Sequence, residues 1–299
     1  NKIKNLFDNQ LTEFNYEHIF SDNYSTDKTI EILKRLSKND KRVKIILNSR
    51  NFGVFRSSFN AITRASGDAV IPMLDADLQD PPELIIDFIK FWKEGYRVVA
   101  GKRKERKENF IMRNVRKIYY RIISSIAEFH IPLDVGEYQL LDRKVVDALL
   151  KFDDYNPYIR GMIANCGFET KIIKYIQAKR FSGKSKFNLL SYINIFLNGL
   201  ISFSHVPMRI SIYIGFILAL MSIFYSIYLF ILAFFYNIEL ANAGIMTLLV
   251  AVFFFSGVIL LFLGLLGEYV SAIHSQVRKG PIVFERELIN FDVVDPNIK

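Results

Sequence analysis

Two carboxylates stand at alternate positions in segment 75–82 (DADLQDPP), between an apolar run and a pair of prolines. Asp75 and Asp77 offer hard oxygen ligands of the kind that Mg²⁺ and Mn²⁺ prefer. A divalent ion there would position a diphosphate leaving group and neutralise its developing charge. Acidic residues at strand ends also cap helices, so the pair alone is a weak signal. The preceding strand and following prolines strengthen it, and we predict a catalytic, metal-binding site at both residues.

A second polar cluster, segment 22–27 (DNYSTD), again follows a predicted strand and precedes a helix. Asp22 precedes the helix cap, and its carboxylate is suited to accept a hydrogen bond from a nucleobase. Ser25 and Asp27 fit a nucleotide contact, but residues of these types also cap helices. Arg50, at the end of the next strand and before Gly53, has the fork geometry that pairs with phosphate.

A basic, glycine-centred loop occupies segment 180–186 (RFSGKSK). Arg180, Ser185 and Lys186 could hold a diphosphate or a lipid phosphate, together with backbone N–H groups. A charge run facing solvent or lipid headgroups is the open alternative.

The first two hundred residues alternate short apolar runs with helical patterns, which predicts an α/β domain built on a mostly parallel sheet. In such sheets, ligands bind at the carboxyl ends of the strands, where the acidic clusters lie. The predicted strands are Tyr16–Ser21, Val43–Leu47, Ala69–Leu74, Val98–Gly101, Tyr138–Leu141 and Thr170–Gln177. The predicted helices are Lys2–Phe14, Thr26–Lys38, Gly53–Ala65, Pro82–Glu94, Phe110–Glu128, Lys144–Phe152 and Tyr158–Asn165.

Charge is distributed unevenly: the net charge is +9, yet Glu239 is the only charged residue between Arg209 and Glu268. The uncharged segments Ile210–Tyr236 and Ala243–Gly267 each exceed the roughly 20 residues that cross a bilayer as a helix. We therefore predict two transmembrane α-helices. Lysine and arginine residues precede the first predicted span and follow the second, and none lies in the loop between the two spans. This distribution predicts that both ends of the helix pair lie in the cytoplasm.

These boundaries predict four regions: a catalytic domain at 1–185, a juxtamembrane amphipathic helix at 186–208, a transmembrane hairpin at 209–270 and a cytoplasmic tail at 271–299. The uncharged stretch 188–205 either lies in the membrane interface or packs on the soluble domain. The positive charge suits anionic partners such as nucleotides and lipid phosphates, and no nucleic acid is predicted. The single Cys166 has no partner for an intrachain disulfide.

Taken in order, these motifs resemble family 2 glycosyltransferases. The resemblance is to the polyprenyl-phosphate sugar transferases related to dolichol-phosphate mannose synthase and to bacterial undecaprenyl-phosphate glucosyltransferases. It extends over nearly the whole chain and includes three further motifs, segments 136–141 (GEYQLL), 160–161 (RG) and 267–269 (GEY), as well as segment 183–186 (GKSK) of the basic loop.

The resemblance implies a GT-A catalytic domain that transfers a sugar, with inversion, from a nucleotide diphosphate to polyprenyl phosphate. The donor is commonly UDP-linked, such as UDP-glucose, and undecaprenyl phosphate is the acceptor implied for a bacterial member. It also implies the inner (cytoplasmic) membrane, and a lipid-linked product used to modify cell-envelope glycans such as O-antigen; a homo-oligomer stays open.

By position, the resemblance implies that Asp22 contacts the nucleobase, that Asp75 lies at the ribose or metal region and that Asp77 binds the metal. The cofactor would be Mg²⁺ or Mn²⁺. Further nucleotide-sugar contacts would come from Gln79 and Arg103. The phosphate and acceptor loop is that of Arg180, Ser185 and Lys186. Asp134 and Glu137 are the nearest candidates for a base on the acceptor side, and a structural role for them is equally open.

Two departures from the family pattern stand out. Asn23 occupies the place of the second acid of a pair, which would alter base or ribose contacts. The strand and Pro-x-Tyr-Asn-Glu-like segment with which the family opens are absent. We expect either that the sequence lacks its start or that it is a truncated, inactive product.

Two other functions compete. A processive polysaccharide synthase shares the fold but carries a Gln-x-x-Arg-Trp motif, whereas the single Trp92 here stands in a Phe-Trp-Lys context. A catalytically degenerate transferase retained as a membrane scaffold is the non-enzymatic alternative.

Overall fold

A computed structural model describes residues 1–74, 79–104, 135–178, 206–236, 241–278 and 280–291. The described strands are β1 (His18–Asp22), β2 (Val43–Asn48), β3 (Ala69–Val70), β4 (Val98–Arg103), β5 (Val135–Asp142), β6 (Thr170–Tyr175) and β7 (Glu285–Ile289). The described helices are α1 (Lys2–Gln10), α2 (Thr29–Asn39), α3 (Val54–Thr63), α4 (Leu84–Lys93), α5 (Arg143–Leu149), α6 (Ile159–Asn165), α7 (Val206–Tyr236) and α8 (Ala241–Val277).

Nearly all the predicted elements that fall on described residues are present with shifted ends, which confirms the α/β class. The predicted strand Ala69–Leu74 shrinks to two residues because Pro72 has no N–H to donate to a ladder. The predicted helix Phe110–Glu128 and the juxtamembrane stretch 188–205 lie outside the described residues.

The strands form two mixed sheets, so the prediction of one mostly parallel sheet was wrong. In the first sheet, of order β1-β2-β7, β1 and β2 are parallel and β7 is antiparallel to β2. In the second, of order β3-β5-β4-β6, β5 runs opposite to both its neighbours, while β4 and β6 are parallel. An apolar run reports burial but not strand direction, which is why the sequence did not reveal β5 as antiparallel.

A cavity of about 660 Å³ lies between the free edges of β1 and β3. Its lining is largely apolar and includes Phe7 of α1, Ile62 of α3 and Ile89 of α4. His18 of β1 also lines it, and burial lowers the pKa of this imidazole to about 4, so that it is neutral near pH 7. Among the described residues, no backbone pairing joins β1 to β3.

The centre of the second sheet is buried on both faces by two apolar clusters. Val99 and Leu140 pack with α1 and α4 on one face. Val98 and Leu141 pack with α3, α5 and α6 on the other. Buried β-branched and aliphatic side chains at this density are worth roughly 1.5–3 kcal/mol each, so the β4–β5 pair is the rigid centre of the domain.

The two long helices α7 and α8 form a separate compact unit. Within the described residues, the segment Ala251–Val277 of α8 is long and apolar enough to cross a membrane, and Ser211–Tyr225 of α7 is a shorter apolar stretch. The apolar side chains of Ala251–Val277 are mostly exposed in the protein.

The region predicted as a cytoplasmic tail differs from expectation, because α8 continues to Val277 and the following residues form β7 against β2. Glu285 of β7 accepts hydrogen bonds from Asn60 (2.7 Å) and from the guanidinium of Arg64 (3.1 and 2.8 Å) on or next to α3. A segment that returns to the first sheet belongs to the same compact unit as that sheet.

We expect Glu285→Ala to lower the free energy of unfolding by about 1–2 kcal/mol, because it removes charged hydrogen bonds from a half-buried site. Glu287→Ala is the matched control on the same strand. Its partner Lys34 is on the surface, and exposed pairs contribute about 0–1 kcal/mol. Thermal unfolding of the detergent-purified variants measures both, and equal midpoints would contradict a special role for Glu285.

Candidate active site

The carboxyl ends of β3, β4 and β6 lie together along one edge of the second sheet, because these three strands run in the same direction. β5 runs the opposite way and begins at that edge. The residues just after the acidic motif are attached to this edge by three contacts. The backbone oxygen of Gln79 accepts from Ala178 N at 2.9 Å, and the backbone oxygen of Pro81 accepts from the Tyr138 hydroxyl at 3.0 Å. The side chain of Asp80 makes the third.

Asp80 is 3% exposed and forms an ionic network with Arg103 and Tyr175. The Tyr175 hydroxyl donates to Asp80 Oδ1 at 2.5 Å, and Arg103 Nη2 lies 3.3 and 3.2 Å from the two carboxylate oxygens. Arg103 Nε also donates to the Tyr175 oxygen at 3.1 Å. Burial, together with donation to Asp80, raises the pKa of Tyr175 to about 12, so its hydroxyl stays protonated near neutral pH.

Gly101 makes room for this network on β4. A Cβ at this position would lie 2.8 Å from Tyr175 Cε1 and 3.1 Å from the Tyr138 backbone oxygen. The Tyr175 ring therefore lies directly over the glycine, with its hydroxyl reaching Asp80. The glycine is required for close approach, not for an unusual φ.

At the end of β1, Asp22 is buried and its Oδ2 accepts from Ser25 N at 2.9 Å. This bond closes a tight turn in which Tyr24 has a φ of 70°, in the left-handed region that costs free energy for a side chain with a Cβ. Asp27 Oδ1 accepts from Thr29 N at 2.9 Å at the start of α2. Asp27 thus satisfies a backbone N–H at the start of the helix, which is the capping role open to residues of its type.

Asn23, the departure from the paired acid, cross-links the loops after β1 and β2. Its Nδ2 donates to Asn51 Oδ1 at 3.0 Å. Its Oδ1 accepts from Phe52 N at 2.9 Å and from Asn48 Nδ2 at 3.2 Å. An ionised aspartate accepts but does not donate, so the amide suits this place. The bond to Asn51 sets the turn leading into Gly53, whose N also donates to Asn51 Oδ1.

Arg50 extends from the loop after β2 and is exposed. Its guanidinium stacks on the Phe52 ring at 3.9 Å, and Nη1 donates to the Asn51 backbone oxygen at 3.2 Å. The stacking holds the planar guanidinium at the surface, an arrangement suited to an anionic ligand.

Glu137 is half-buried near the start of β5. It precedes Tyr138, whose hydroxyl donates to the backbone oxygen of Pro81. The structure therefore brings together Gln79, Arg103 and Glu137 at the edge of the second sheet. It places Asp22, Ser25, Asp27 and Arg50 around the ends of β1 and β2. The remaining predicted site residues lie outside the described residues: Asp75, Asp77, Asp134, Arg180, Ser185 and Lys186.

Within the part of the chain that the structure describes, no group of three or more His, Cys, Asp or Glu side chains is arranged to hold a metal ion. The predicted ligands Asp75 and Asp77 are not among those residues. Their donor set of two carboxylates fits Mg²⁺ or Mn²⁺ by its chemistry.

Sequence reasoning overlooked Tyr175 and assigned no role to Asp80. It proposed that Arg103 contacts the nucleotide sugar, whereas its described partners are Asp80 and Tyr175. The available signal was the charge of Asp80: a carboxylate just before two prolines and an apolar helix must find a donor if it is buried. Nothing in the sequence indicated which residues would supply that donor.

Comparison with known proteins connects this geometry to a family. Residues 2–150 match the profile of glycosyl transferase family 2. The chain is 36% identical over 282 residues to the uncharacterized glycosyltransferase YkcC of Bacillus subtilis, covering 94% of this chain and 86% of that protein. It is 33% identical over 273 residues to the SfII prophage-derived bactoprenol glucosyl transferase of Shigella flexneri, covering 91% and 87%. It is 32% identical over 275 residues to the prophage bactoprenol glucosyl transferase homolog of Escherichia coli, covering 91% and 88%.

These similarities extend through the long helices as well as the catalytic domain, and the mixed α/β architecture supports the GT-A fold that the motifs implied. The chain belongs to glycosyl transferase family 2 and is a glycosyltransferase.

Proposed function

We propose that this glycosyltransferase moves a sugar, with inversion, from a UDP-linked donor such as UDP-glucose to a polyprenyl phosphate such as undecaprenyl phosphate. The observation that carries the proposal is the similarity over nine-tenths of the chain to a protein named bactoprenol glucosyl transferase. The sheet edge supports it, because Gln79, which follows the acidic pair in the sequence, and Ala178, which precedes the basic loop in the sequence, are hydrogen-bonded to each other there.

The nucleotide would bind at the ends of β1 and β2, where Asp22 offers its carboxylate to the base and Arg50 its guanidinium to phosphate. Ser25 and Asp27 shape the loop between them. Asp22 and Asp27 already accept bonds from loop and helix N–H groups, and these bonds hold their carboxylates in fixed positions. A preorganised pocket costs less ordering on binding.

Asp75 and Asp77 would hold Mg²⁺ or Mn²⁺, with Gln79 beside them in the chain. The ion, when bound, would neutralise charge on the departing diphosphate. A phosphate oxygen of the lipid forms the new bond to the anomeric carbon as the bond to the donor diphosphate breaks, and the nucleotide diphosphate leaves with the electron pair. The acceptor phosphate is already anionic near neutral pH, so positioning matters more than a strong base. Asp134 and Glu137 would then orient the acceptor.

Arg180, Ser185 and Lys186 would bind the acceptor phosphate or the donor diphosphate. A lipid acceptor requires the enzyme to work at a membrane, and Ala251–Val277 is apolar and long enough to anchor it.

We infer that the anchor has two spans. The catalytic unit includes strands from before α7 and from after α8, so the chain leaves it and returns to it. A chain that returns to the same side crosses an even number of times, which makes α7 the second span.

The arginine and lysine that follow α8, and those that precede α7, favour the cytoplasmic face of the bacterial inner membrane for the catalytic domain. The product would be a lipid-linked sugar available for cell-envelope glycan modification. A processive synthase would require more spans than the two inferred here, and a degenerate scaffold would show no turnover.

Asp77→Ala should reduce metal-dependent sugar transfer to undecaprenyl phosphate by at least about a hundredfold, because the diphosphate loses its charge-neutralising partner. Purified protein in detergent is incubated with Mn²⁺, lipid phosphate and a panel of labelled nucleotide sugars, and the lipid product is identified. Asp147→Ala is the matched control, since Asp147 is an exposed carboxylate on α5. Equal turnover by wild type and Asp77→Ala would overturn the proposed site, and no turnover by wild type with any donor would favour the scaffold.

Asn23→Asp should weaken nucleotide binding by about tenfold, since the carboxylate loses the bond to Asn51 Oδ1 and instead repels that oxygen. The free energy of unfolding should fall as well. Isothermal titration with UDP measures the affinity, and thermal unfolding measures the stability. Asn9→Asp is the control, because Asn9 is exposed on α1 and bonds only locally. Wild-type affinity in Asn23→Asp would show that the amide cross-link does not shape the nucleotide site.

A further inference from the structure

Exposed aromatic and arginine side chains lie around the carboxyl ends of β1 and β2, and two of them come from the segment that follows the long helices. Tyr24, in the loop after β1, is 49% exposed, and Phe284, just before β7, is 56% exposed. Phe284 lies at this edge because its backbone oxygen accepts from Ser49 N at 2.9 Å, directly after β2. Together with the exposed Arg50 and Arg286, these two rings form what we call the aromatic–arginine patch, which lies within one compact unit.

Ring contacts link the members of this patch. Arg50 stacks on the Phe52 ring at 3.9 Å, and the centroids of the Phe52 and Phe284 rings are 6.3 Å apart. The guanidinium carbon of Arg286 lies 6.0 Å from the centroid of the Tyr24 ring. Over the ranges that the structure describes, neither guanidinium forms an ion pair with a carboxylate. Both groups therefore present an uncompensated positive charge beside an aromatic ring.

Two irregularities of the backbone shape the patch. The register of β7 against β2 skips Arg286, which is therefore the extra residue of a β-bulge. A bulge bends the strand and changes the direction in which a side chain leaves it. Tyr24 has a φ of 70°, which costs free energy for a residue with a Cβ. Bulges and strained residues of this kind are frequent next to functional sites.

The residue types in the patch indicate the chemical class of the ligand. An exposed ring offers a flat apolar face on which a nucleobase stacks, because every base has a π-face. A guanidinium binds phosphate oxygens through paired N–H donors. A nucleoside diphosphate has both parts. The patch also lies where nucleotides bind in open α/β sheets, at the carboxyl ends of the parallel strands β1 and β2.

We propose that Phe284 and Arg286 are nucleotide-binding residues that complete the site at the ends of β1 and β2. Phe284 and Tyr24 supply rings for the base, and Arg286 supplies a second guanidinium for the phosphates beside that of Arg50. This inference rests on the proposed function, because it deepens the nucleotide site of that reaction. It means that the site is built from chain on both sides of the long helices.

Phe284→Leu tests the contact with the base, because it removes the aromatic face and keeps an apolar side chain against Phe52. With the whole chain purified in detergent and Mn²⁺ present, we expect the dissociation constant for UDP, measured by isothermal titration, to rise about tenfold. The dissociation constant for pyrophosphate, which has no base, should keep its wild-type value. Phe91→Leu is the matched control, because the Phe91 ring packs against Tyr96 beside the second sheet.

Arg286→Gln tests the contact with the phosphates. It should raise the dissociation constants for UDP and for pyrophosphate by the same factor, about fivefold at low ionic strength. The loss should shrink at high salt, since salt screens an exposed charge. Arg35→Gln is the control for net charge, because Arg35 is an exposed arginine on α2.

Wild-type affinity for UDP in either variant would overturn the role given to that residue. Equal losses for UDP and pyrophosphate in Phe284→Leu would overturn the stacking contact, because they indicate a distorted loop. If both variants bind UDP normally in detergent but lose activity in vesicles of anionic lipid, the patch faces lipid headgroups and the inference is wrong.

Failure of the proposed function gives a different result. If wild type binds UDP but transfers no sugar, the proposed function fails and the titrations with UDP still decide the inference. If wild type binds another nucleoside diphosphate and not UDP, the proposed donor fails and the same variants are compared with that nucleotide. If wild type transfers sugar and both variants bind UDP as tightly as it does, only the inference fails. Absence of nucleotide binding by wild type would overturn both.

Discussion

The pairing of β4 with β5 is the interaction on which the rest of the catalytic unit depends. Both strands are buried on both faces, with Val99 and Leu140 in one cluster and Val98 and Leu141 in the other. Helices on either side therefore pack against the same two strands, and β3 and β6 attach to their outer edges. Because the interior is close-packed, the ends of these strands are held in fixed positions. The polar residues that follow the ends of these strands are therefore held in place as well.

The transition from apolar interior to polar edge occurs within a few residues. β4 proceeds from the buried Val99 through Gly101 to Arg103, and β6 ends at Tyr175. At that edge the protein buries a carboxylate, and the free energy cost of doing so is offset by a guanidinium and a phenol donor. Few substitutions of these donors would be tolerated, since a buried charge left without its donors is strongly destabilising. The contacts that end the packed interior are therefore the same contacts that begin the candidate active site.

Much of this could be predicted from the sequence, because hydrophobic periodicity reports burial and burial largely determines the elements. The pattern placed β1, β2, β4 and the flanking helices within a few residues. It could not give the direction of β5 or the pairing of β7, since both depend on contacts between distant segments. The acidic and basic motifs were recognisable because their residue types limit the chemistry. The bonds of Asn23, Asp80 and Tyr175 were not, because the partners of a buried polar group depend on three-dimensional neighbours that spacing does not encode.

The return of the chain to β2 after the long helices is a constraint on topology as well as on stability. Closing a long loop costs little more than closing a shorter one, about 0.6 kcal/mol for each doubling of its length. A helical unit can therefore be inserted between β6 and β7 at a modest entropic cost. The contacts of β7 and of the residue after it offset that cost: Glu285 bonds to Asn60 and Arg64, and Asn290 Nδ2 donates to the backbone oxygens of Ser37 and Val43. Both ends of the insertion are fixed to one unit, β6 by its pairing with β4 and β7 by its pairing with β2, so the stability of that unit depends on residues from both sides of the long helices.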